Sequence, residues 1–314
     1  MIVDSVKKGL LSGLNTTWTL GKVIFPVTLI VTVLQYTPVL PWIIDLIAPL
    51  MNLIGLPGDA AIPLVLGNFL NLYAAIAGIL TLDLTVKEVF IIAVMLSFSH
   101  NLFIESGVAM KTGVKLWVIL TVRIGLALMS AVIINLVWQG GGEMAQGFVV
   151  QEETDIVGAG AILLHGITKA FIGIGQLALI VIPLMVVVQI MKDLKWLEAF
   201  SQALAPFMRV LGIKPNTSMP FVAGLTLGLA YGAGVMIQAA KEDNVSKKDM
   251  TLAFIFLVAC HAVIEDTLIF IPLGIPVLPL LLIRLVTAIV LTMIVAYIWN
   301  RYDTVQRKDA AYEQ

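Results

Sequence analysis

Residues 62–78 read IPLVLGNFLNLYAAIAG and residues 219–235 read MPFVAGLTLGLAYGAGV, and these two stretches decide the fold. Both are apolar, carry a proline at the second position, and approach the length of about 20 residues that crosses a bilayer core. Proline and glycine recur at a spacing of 157 residues, as in the pair Pro63 and Pro220. Such self-similarity predicts two copies of one structural unit, each with a span of this composition in the membrane.

The similarity runs through most of the chain in two registers. Up to about Asn244 the spacing is 157 residues, and a few extra residues in the second half then shift it to 161. Further pairs are Pro26 with Pro183, Pro49 with Pro206 and Gly67 with Gly224 in the first register, and His100 with His261, Glu105 with Asp266 and Arg123 with Arg284 in the second. We therefore predict a first repeat at residues 1–138, an acidic connector at 139–157 and a second repeat at 158–314.

The composition places the chain in a membrane. It has 314 residues, of which 60% are hydrophobic and 12% charged, and its mean hydropathy is +1.01. Because a soluble domain carries about 25% charged residues, a soluble protein is excluded, and lipid must cover most of the surface. A net charge of −1 without a long basic run excludes nucleic acid as a partner. The single cysteine, Cys260, excludes an internal disulfide.

Apolar stretches predict an all-α integral membrane protein with about ten membrane segments. Eight stretches are long enough to cross a bilayer. They lie at roughly 17–38, 60–81, 88–106, 116–138, 168–190, 217–240, 249–271 and 275–299. Two shorter stretches, 41–56 and 195–213, either cross, re-enter or lie in the interface, and their placement decides the topology.

The basic residues of the loops favour ten segments over eight. Lysine and arginine accumulate on the cytoplasmic side of membrane proteins. With ten segments only Lys87, Arg209 and Lys214 fall outside, whereas eight segments give a weaker bias. Ten segments give five per repeat, and an odd number inverts the second repeat relative to the first. We predict two inverted five-segment repeats in the cytoplasmic (inner) membrane, with both termini in the cytoplasm. Eight spans in parallel repeats are the alternative.

Polar residues interrupt two of the spans and form the first candidate site. The stretches SFSHNLFIESG at 97–107 and ACHAVIEDTL at 259–268 place histidines and carboxylates at membrane depth. Ionisable groups there are costly unless they are paired or face water. His100 and His261 are either hydrogen-bonding spacers or ligands of a solute, and the sequence leaves open whether they meet carboxylates at a metal ion.

Carboxylates and arginines in these regions are candidates for ion coupling and charge pairing. The predicted ion-coupling residues are Glu105, Glu265 and Asp266, and the predicted charge-pairing residues are Arg123 and Arg284. Each arginine follows a matching carboxylate one span later, so these pairs either take part in transport or only hold two helices together. Glu265 is left over because the first repeat has Ile104 at its position. We interpret Glu265 as a proton or cation site, since an isolated charge is not tolerated at that depth.

Neutral polar residues near the repeated spans are candidates for binding a solute. Asn68 and Asn71 lie three residues apart on one helix face, and Asn101 and Tyr231 add further neutral groups. Together with the two histidines, these residues form the predicted substrate-binding set. The glycines of the same spans indicate either close helix packing or a broken helix whose freed backbone groups bind a polar solute.

The repeated block resembles the nucleoside-recognition, or Gate, domain family. The resemblance lies in PLVLGNFLNLYAAIAG followed by VMLSFSHNLFIESG, and in the copy PFVAGLTLGLAYGAG followed by FLVACHAVIEDT. The overall pattern is similar to the spore maturation A and B proteins, joined as two copies in one chain. More distantly it is similar to the membrane parts of ferrous-iron transport protein B and of concentrative nucleoside transporters. The resemblance implies a membrane protein that handles a small solute.

The leading functional hypothesis is a secondary or facilitative transporter in which two repeats alternate the exposure of a polar site. The expected partners are a small polar or ionic solute and the lipid bilayer, with a homo-oligomer as an open possibility and no resident cofactor. A non-transporting membrane scaffold or signalling partner, as the spore-maturation resemblance allows, is the alternative. An intramembrane hydrolase is less favoured because the sequence has no HExxH, Walker or GxSxG motif, and we expect no enzymatic activity.

Overall fold

The computed structural model describes residues 2–145, 156, 158–194, 196–242 and 245–312. Most of the predicted connector 139–157 lies outside these residues. Throughout the described part the chain is helical, and Thr85 and Met144 pair as an isolated β-bridge. Three helical stretches there are long and apolar enough to cross a membrane, and a fourth is counted if a pair bent by 89° forms one span. The predicted class, an all-helical membrane protein, is confirmed.

The first half of the chain forms seven helices. Their bounds are α1 Ile2–Gln35, α2 Val39–Leu53, α3 Ala61–Phe69, α4 Leu72–Ile79, α5 Val86–Ser99, α6 Leu102–Lys111 and α7 Leu116–Val137, with a 3₁₀ turn at Gly58–Ala60. The short stretch 41–56 is thus the helix α2, whose 15 residues extend only about 22 Å. That length is below the roughly 30 Å of a bilayer core.

The second half forms seven helices in the same order. Their bounds are α8 Ala159–Asp193, α9 Trp196–Val210, α10 Ser218–Tyr231, α11 Ala233–Glu242, α12 Lys247–Ala259, α13 Glu265–Leu268 and α14 Val277–Tyr312, with 3₁₀ turns at Pro215–Thr217 and Ile271–Leu273. The starts of α8, α9 and the first of these turns follow their first-half equivalents by 157 residues, and the starts of α12 and α14 follow theirs by 161. The two registers of the sequence repeat are therefore also registers of the helices.

The chain divides into two compact units, and each draws on both halves. Unit 1 comprises Met1–Leu102, Leu126–Leu194 and Glu265–Leu280, and unit 2 comprises Phe103–Gly125, Lys195–Ile264 and Leu281–Gln314. Each half therefore gives unit 1 or unit 2 a segment that begins just after its polar stretch. The sequence division into repeats did not predict this exchange.

In unit 1 the long helices α1 and α8 pack against each other in opposite directions. A Cβ added to Gly9 would lie 2.5 Å from the Cα of Val186, and one added to Gly13 would lie 2.8 Å from the Cα of Ile182. A step of four residues forward along α1 thus matches a step of four residues back along α8. Glycine is required at these points because any side chain would push the two backbones apart.

The free ends of this helix pair are joined by a polar contact. The Ser5 hydroxyl donates a hydrogen bond to Oδ2 of Asp193 at 2.7 Å, and Nζ of Lys8 lies 3.9 Å from the same oxygen. Toward the opposite end, the rings of Tyr36 and His165 meet edge to face at 6.5 Å. The pair is therefore held along its whole described length, with apolar contacts in the middle and polar contacts outside.

Four predicted spans are interrupted rather than continuous. The stretches 60–81 and 217–240 break near Asn71 and Gly228, as the broken-helix alternative requires. The stretches 88–106 and 249–271 were predicted as uninterrupted, and that prediction is wrong, because α5 ends at Ser99 and α12 ends at Ala259. Periodicity and hydropathy do not detect these breaks, since the residues on either side are equally apolar.

Candidate functional site

The first pair of breaks falls at equivalent positions of the two repeats. Asn71 is extended (φ −168°, ψ 171°), and its side-chain oxygen accepts a hydrogen bond from the backbone N–H of Ala74 at 2.9 Å, so that it caps α4. Gly228, 157 residues later, interrupts α10 with φ 79° and ψ 171°, a conformation open essentially to glycine alone. Two different residues therefore produce the same break by different means.

The second pair of breaks falls at the two histidines. Nδ1 of His100 lies 2.7 Å from the carbonyl oxygen of Leu96, and Nδ1 of His261 lies 2.8 Å from that of Leu257. Because a carbonyl only accepts, Nδ1 carries the proton in both rings, and Nε2 is the atom left to meet a partner. Both histidines are buried.

The residues that follow the histidines leave the helix in the left-handed region. Asn101 has φ 50° and Ala262 has φ 41°. Asparagine tolerates this conformation, whereas alanine adopts it at a cost in free energy. The equivalence of the two positions indicates that the backbone geometry belongs to the repeat and that it is kept even where the side chain disfavours it.

Within each unit the two breaks are joined by backbone hydrogen bonds. In unit 1 the N–H of Asn101 donates to the carbonyl oxygen of Gly67 at 2.8 Å, and in unit 2 the N–H of Ala262 donates to that of Gly224 at 3.2 Å. Val263 adds a second such bond in unit 2, to Leu225 at 2.9 Å. Each unit thus contains two interrupted helices that touch through their main chains.

Glycine makes this approach possible. A Cβ at Gly67 would collide with Leu96 of α5, and one at Gly224 would lie 2.6 Å from Cδ1 of Leu257 on α12. Close packing and helix breakage, which the sequence offered as alternatives, therefore occur together in the same spans.

Unit 2 contains a cluster of buried charges. Nη2 of Arg123 donates to Oε2 of Glu105 at 2.8 Å, and Nε2 of His261 lies 3.3 Å from Oε1 of the same carboxylate. Arg284 donates through Nη2 to the carbonyl oxygen of His261 at 2.6 Å. Both arginines are fully buried. The contact of Glu105 with Arg123 is the geometry that the predicted pairing of these two residues requires.

Unit 1 holds a different set of polar groups. The hydroxyl of Tyr73 donates to Oε1 of Glu265 at 2.5 Å, and both residues are buried. A ring nitrogen of His100 lies within 4.8 Å of a carboxylate oxygen of Asp266, and these are two of the ligand types that divalent transition metals accept. Sequence reasoning missed Tyr73; its only signal was a tyrosine in an apolar span, whose buried hydroxyl needs a partner.

The asparagines predicted to bind a solute also serve the local backbone. Nδ2 of Asn68 donates to the carbonyl oxygen of Leu64 at 2.7 Å, and Asn71 caps α4 as described above. These bonds use one half of each side-chain amide, the nitrogen of Asn68 and the oxygen of Asn71. The side chain of Tyr231 lies outside the described part of the structure.

These features define a helical membrane protein whose two homologous halves each carry a pair of interrupted helices. The family model of the Gate family, described as nucleoside recognition, matches residues 17–115 and 174–282, once in each half. A protein of Bacillus subtilis (strain 168) described as uncharacterized membrane protein YvoD is 64% identical over 295 residues, which cover 94% of this chain and 95% of the relative. No solved structure gives a significant match. The chain belongs to the Gate family of membrane proteins.

Proposed function

We propose that the protein is a secondary or facilitative transporter of a small polar or ionic solute in the cytoplasmic (inner) membrane, and that it has no enzymatic activity. The observation that carries this proposal is the occurrence of paired helix breaks at equivalent positions of both repeats. Non-helical backbone is tolerated at membrane depth only where protein covers it or where it lines a water-filled cavity. Interrupted helices of this kind form the solute and ion sites of many secondary transporters.

The proposal includes two inverted repeats that alternate the exposure of the polar site. Each repeat supplies five segments if each interrupted pair of helices counts as one, and an odd number inverts the second repeat. In the first repeat these segments are α1, α2, α3 with α4, α5 with α6, and α7, and the second repeat offers the same order. Both termini then lie in the cytoplasm, as the loop lysines and arginines favour.

The packing of α1 on α8 supports this inversion. Gly9 approaches Val186, and Gly166 approaches Leu29, with a built Cβ at 2.7 Å from Cδ1 of the leucine. A shift of 157 residues turns Gly9 into Gly166 and Leu29 into Val186, so the two contacts are the same contact with the repeats exchanged. A pair of equivalent helices that cross with opposite directions and reciprocal contacts is what a twofold axis in the membrane plane produces.

The polar groups at the breaks indicate the chemistry of the solute. The free amide nitrogen of Asn71 and the free amide oxygen of Asn68 offer one donor group and one acceptor without a fixed charge. Glu265, Glu105 and Asp266 add carboxylates that suit a coupling proton or cation. The family description makes nucleosides the first solutes to test, followed by divalent metals, amino acids and organic anions.

A binding screen followed by flux measurement tests the proposal. Purified protein is heated with each solute, because a ligand of the native state raises the unfolding temperature. Positive solutes are then assayed for uptake into proteoliposomes. We expect Asn71→Ser, which keeps the helix cap but removes the amide, to lower uptake, and Asn52→Ala, a change at an exposed residue of α2, to leave it unchanged. Equal uptake by the two variants would exclude Asn71 from the solute site.

A non-transporting scaffold is the second candidate, and the charge cluster of unit 2 favours it. Arg123 is neutralised by Glu105, and Arg284 is engaged by a backbone carbonyl, an arrangement that needs no solute. Under this hypothesis folded protein in liposomes moves none of the solutes in the panel, and the charge cluster serves only to hold helices together. Uptake of any of them excludes the scaffold reading.

A further inference from the structure

We propose that reversible protonation is confined to one of the two copies of the repeated site, at the Glu265–Tyr73 pair of unit 1, with Tyr73 as the positioning residue. The inference deepens the transport function proposed above, and it names the coupling ion as a proton. It rests on a comparison of equivalent positions in the two units, each taken by itself.

The repeat makes the asymmetry visible. Glu265 and Tyr73 of unit 1 correspond to Ile104 and Ala230 of unit 2, at spacings of 161 and 157 residues. Glu265 is 8% exposed, whereas Ile104 is 60% exposed. The acid and its hydroxyl partner are therefore absent together from unit 2, and an apolar side chain projects from the surface at the equivalent position.

The two buried glutamates have partners of different chemistry. Glu105 receives its hydrogen bond from Arg123, and a guanidinium group has five donors and no acceptor. A proton added to Glu105 would cancel the charge that the buried arginine needs. Unit 2 therefore keeps its glutamate ionised, and it does not exchange protons during a cycle.

The partner of Glu265 accommodates both protonation states. When Glu265 is ionised, the hydroxyl of Tyr73 donates to Oε1, the contact observed at 2.5 Å. When Glu265 is protonated, its own O–H donates and the phenol oxygen accepts, because a tyrosine hydroxyl has both capacities. Uptake and release of one proton thus leave no buried polar atom of this pair unsatisfied, which is the property a reversible proton site needs.

Other titratable groups of unit 1 lie around this pair. Asp266 is next in the chain, and a ring nitrogen of His100 on the end of α5 lies within 4.8 Å of its carboxylate. On the helices packed against α4, Lys22 lies over the Trp18 ring and His165 meets Tyr36, so these two groups have partners of their own. A carboxyl band that follows Glu265 is separable from Asp266 by substitution.

Infrared difference spectroscopy of the full chain in lipid nanodiscs, titrated with pH, tests the proposal without any solute. We expect a protonated-carboxyl band that Glu265→Gln abolishes. Tyr73→Phe removes a donor to the ionised form and moves the midpoint of the band upward by about one pH unit. Glu265→Asp shortens the side chain, breaks the contact and also moves the midpoint. Asp45→Asn, at an exposed carboxylate of α2, leaves band and midpoint unchanged.

Persistence of the band in Glu265→Gln, or an unmoved midpoint in both Tyr73→Phe and Glu265→Asp, overturns the proposal. Proteoliposome measurements separate it from the transport function. A band that behaves as expected in a protein that moves no solute leaves the proton site standing and removes transport. Solute uptake whose pH dependence is the same in the wild-type protein and in Glu265→Gln keeps transport and removes the coupling role.

Discussion

Substitution of Gly9 by alanine is the sharpest test of how the two repeats are joined. The added Cβ would lie 2.5 Å from the Cα of Val186, whereas carbon atoms in contact are about 3.5–4.0 Å apart. The atom it meets belongs to the backbone and cannot rotate away. The helices α1 and α8 must therefore separate by about 1 Å at this point, and they lose part of their packing over the neighbouring turns.

The expected magnitude follows from two opposing terms. Overpacking of a close contact costs about 1–3 kcal/mol, and replacing glycine by alanine in a helix returns about 1 kcal/mol. Gly173→Ala on α8 is the matched control, because its Cβ would meet nothing within 4 Å and only the favourable term applies. Gly9→Ala should therefore be less stable than Gly173→Ala by about 1–3 kcal/mol.

Unfolding in mixed micelles of denaturing and mild detergent measures this difference. Gly166→Ala provides a graded comparison, since its Cβ would meet the tip of the Leu29 side chain, which can rotate. The order of stability expected is Gly173→Ala above Gly166→Ala above Gly9→Ala. A Gly9→Ala protein as stable as the Gly173→Ala protein would refute the antiparallel packing, and with it the support for inverted repeats.

Three further predictions concern single contacts. Arg123→Leu leaves the buried Glu105 without its cation and should cost about 3–5 kcal/mol, most of which the double change with Glu105→Leu recovers; additive effects in unfolding measurements would contradict this. Asn71→Ala removes a helix cap and should cost about 1 kcal/mol, whereas Asn71→Ser should be close to neutral, and equal losses would argue against capping. The Ser5 hydrogen bond, and less strongly Lys8, lower the pKa of Asp193, the last residue of α8, below 3.8. The resulting stability is present above pH 3.8 and is lost as the pH falls through the lower folded-state pKa, so Ser5→Ala should flatten the loss of stability on acidification below pH 3.8; an unchanged acid profile would show that the contact is irrelevant.

Much of the fold is legible in the sequence because the chain is a duplication. The offsets of 157 and 161 residues predict which helices correspond, and the starts of α8 and α14 follow those offsets. Local signals also suffice at Gly228, where a glycine inside an apolar span indicates a departure from the helix.

Other features depend on information that no local pattern carries. The break after His261 is held by main-chain bonds from Ala262 and Val263 to a distant helix, and alanine there has no propensity for its left-handed backbone. The contact of Tyr73 with Glu265 joins positions that the repeat does not relate. Its prediction would require the exchange of segments between the units, which depends on three-dimensional packing alone.

This exchange sets the order in which the protein can be completed. Tyr73 leaves the ribosome 192 residues before Glu265, a delay of roughly 10–40 s at ordinary rates of synthesis. Throughout that interval the nascent first half has its helices but lacks the strip Glu265–Leu280 that finishes unit 1. Insertion into the bilayer is therefore gradual while assembly is late, and a truncation anywhere before residue 265 leaves unit 1 without its last segment, exposed to membrane proteases.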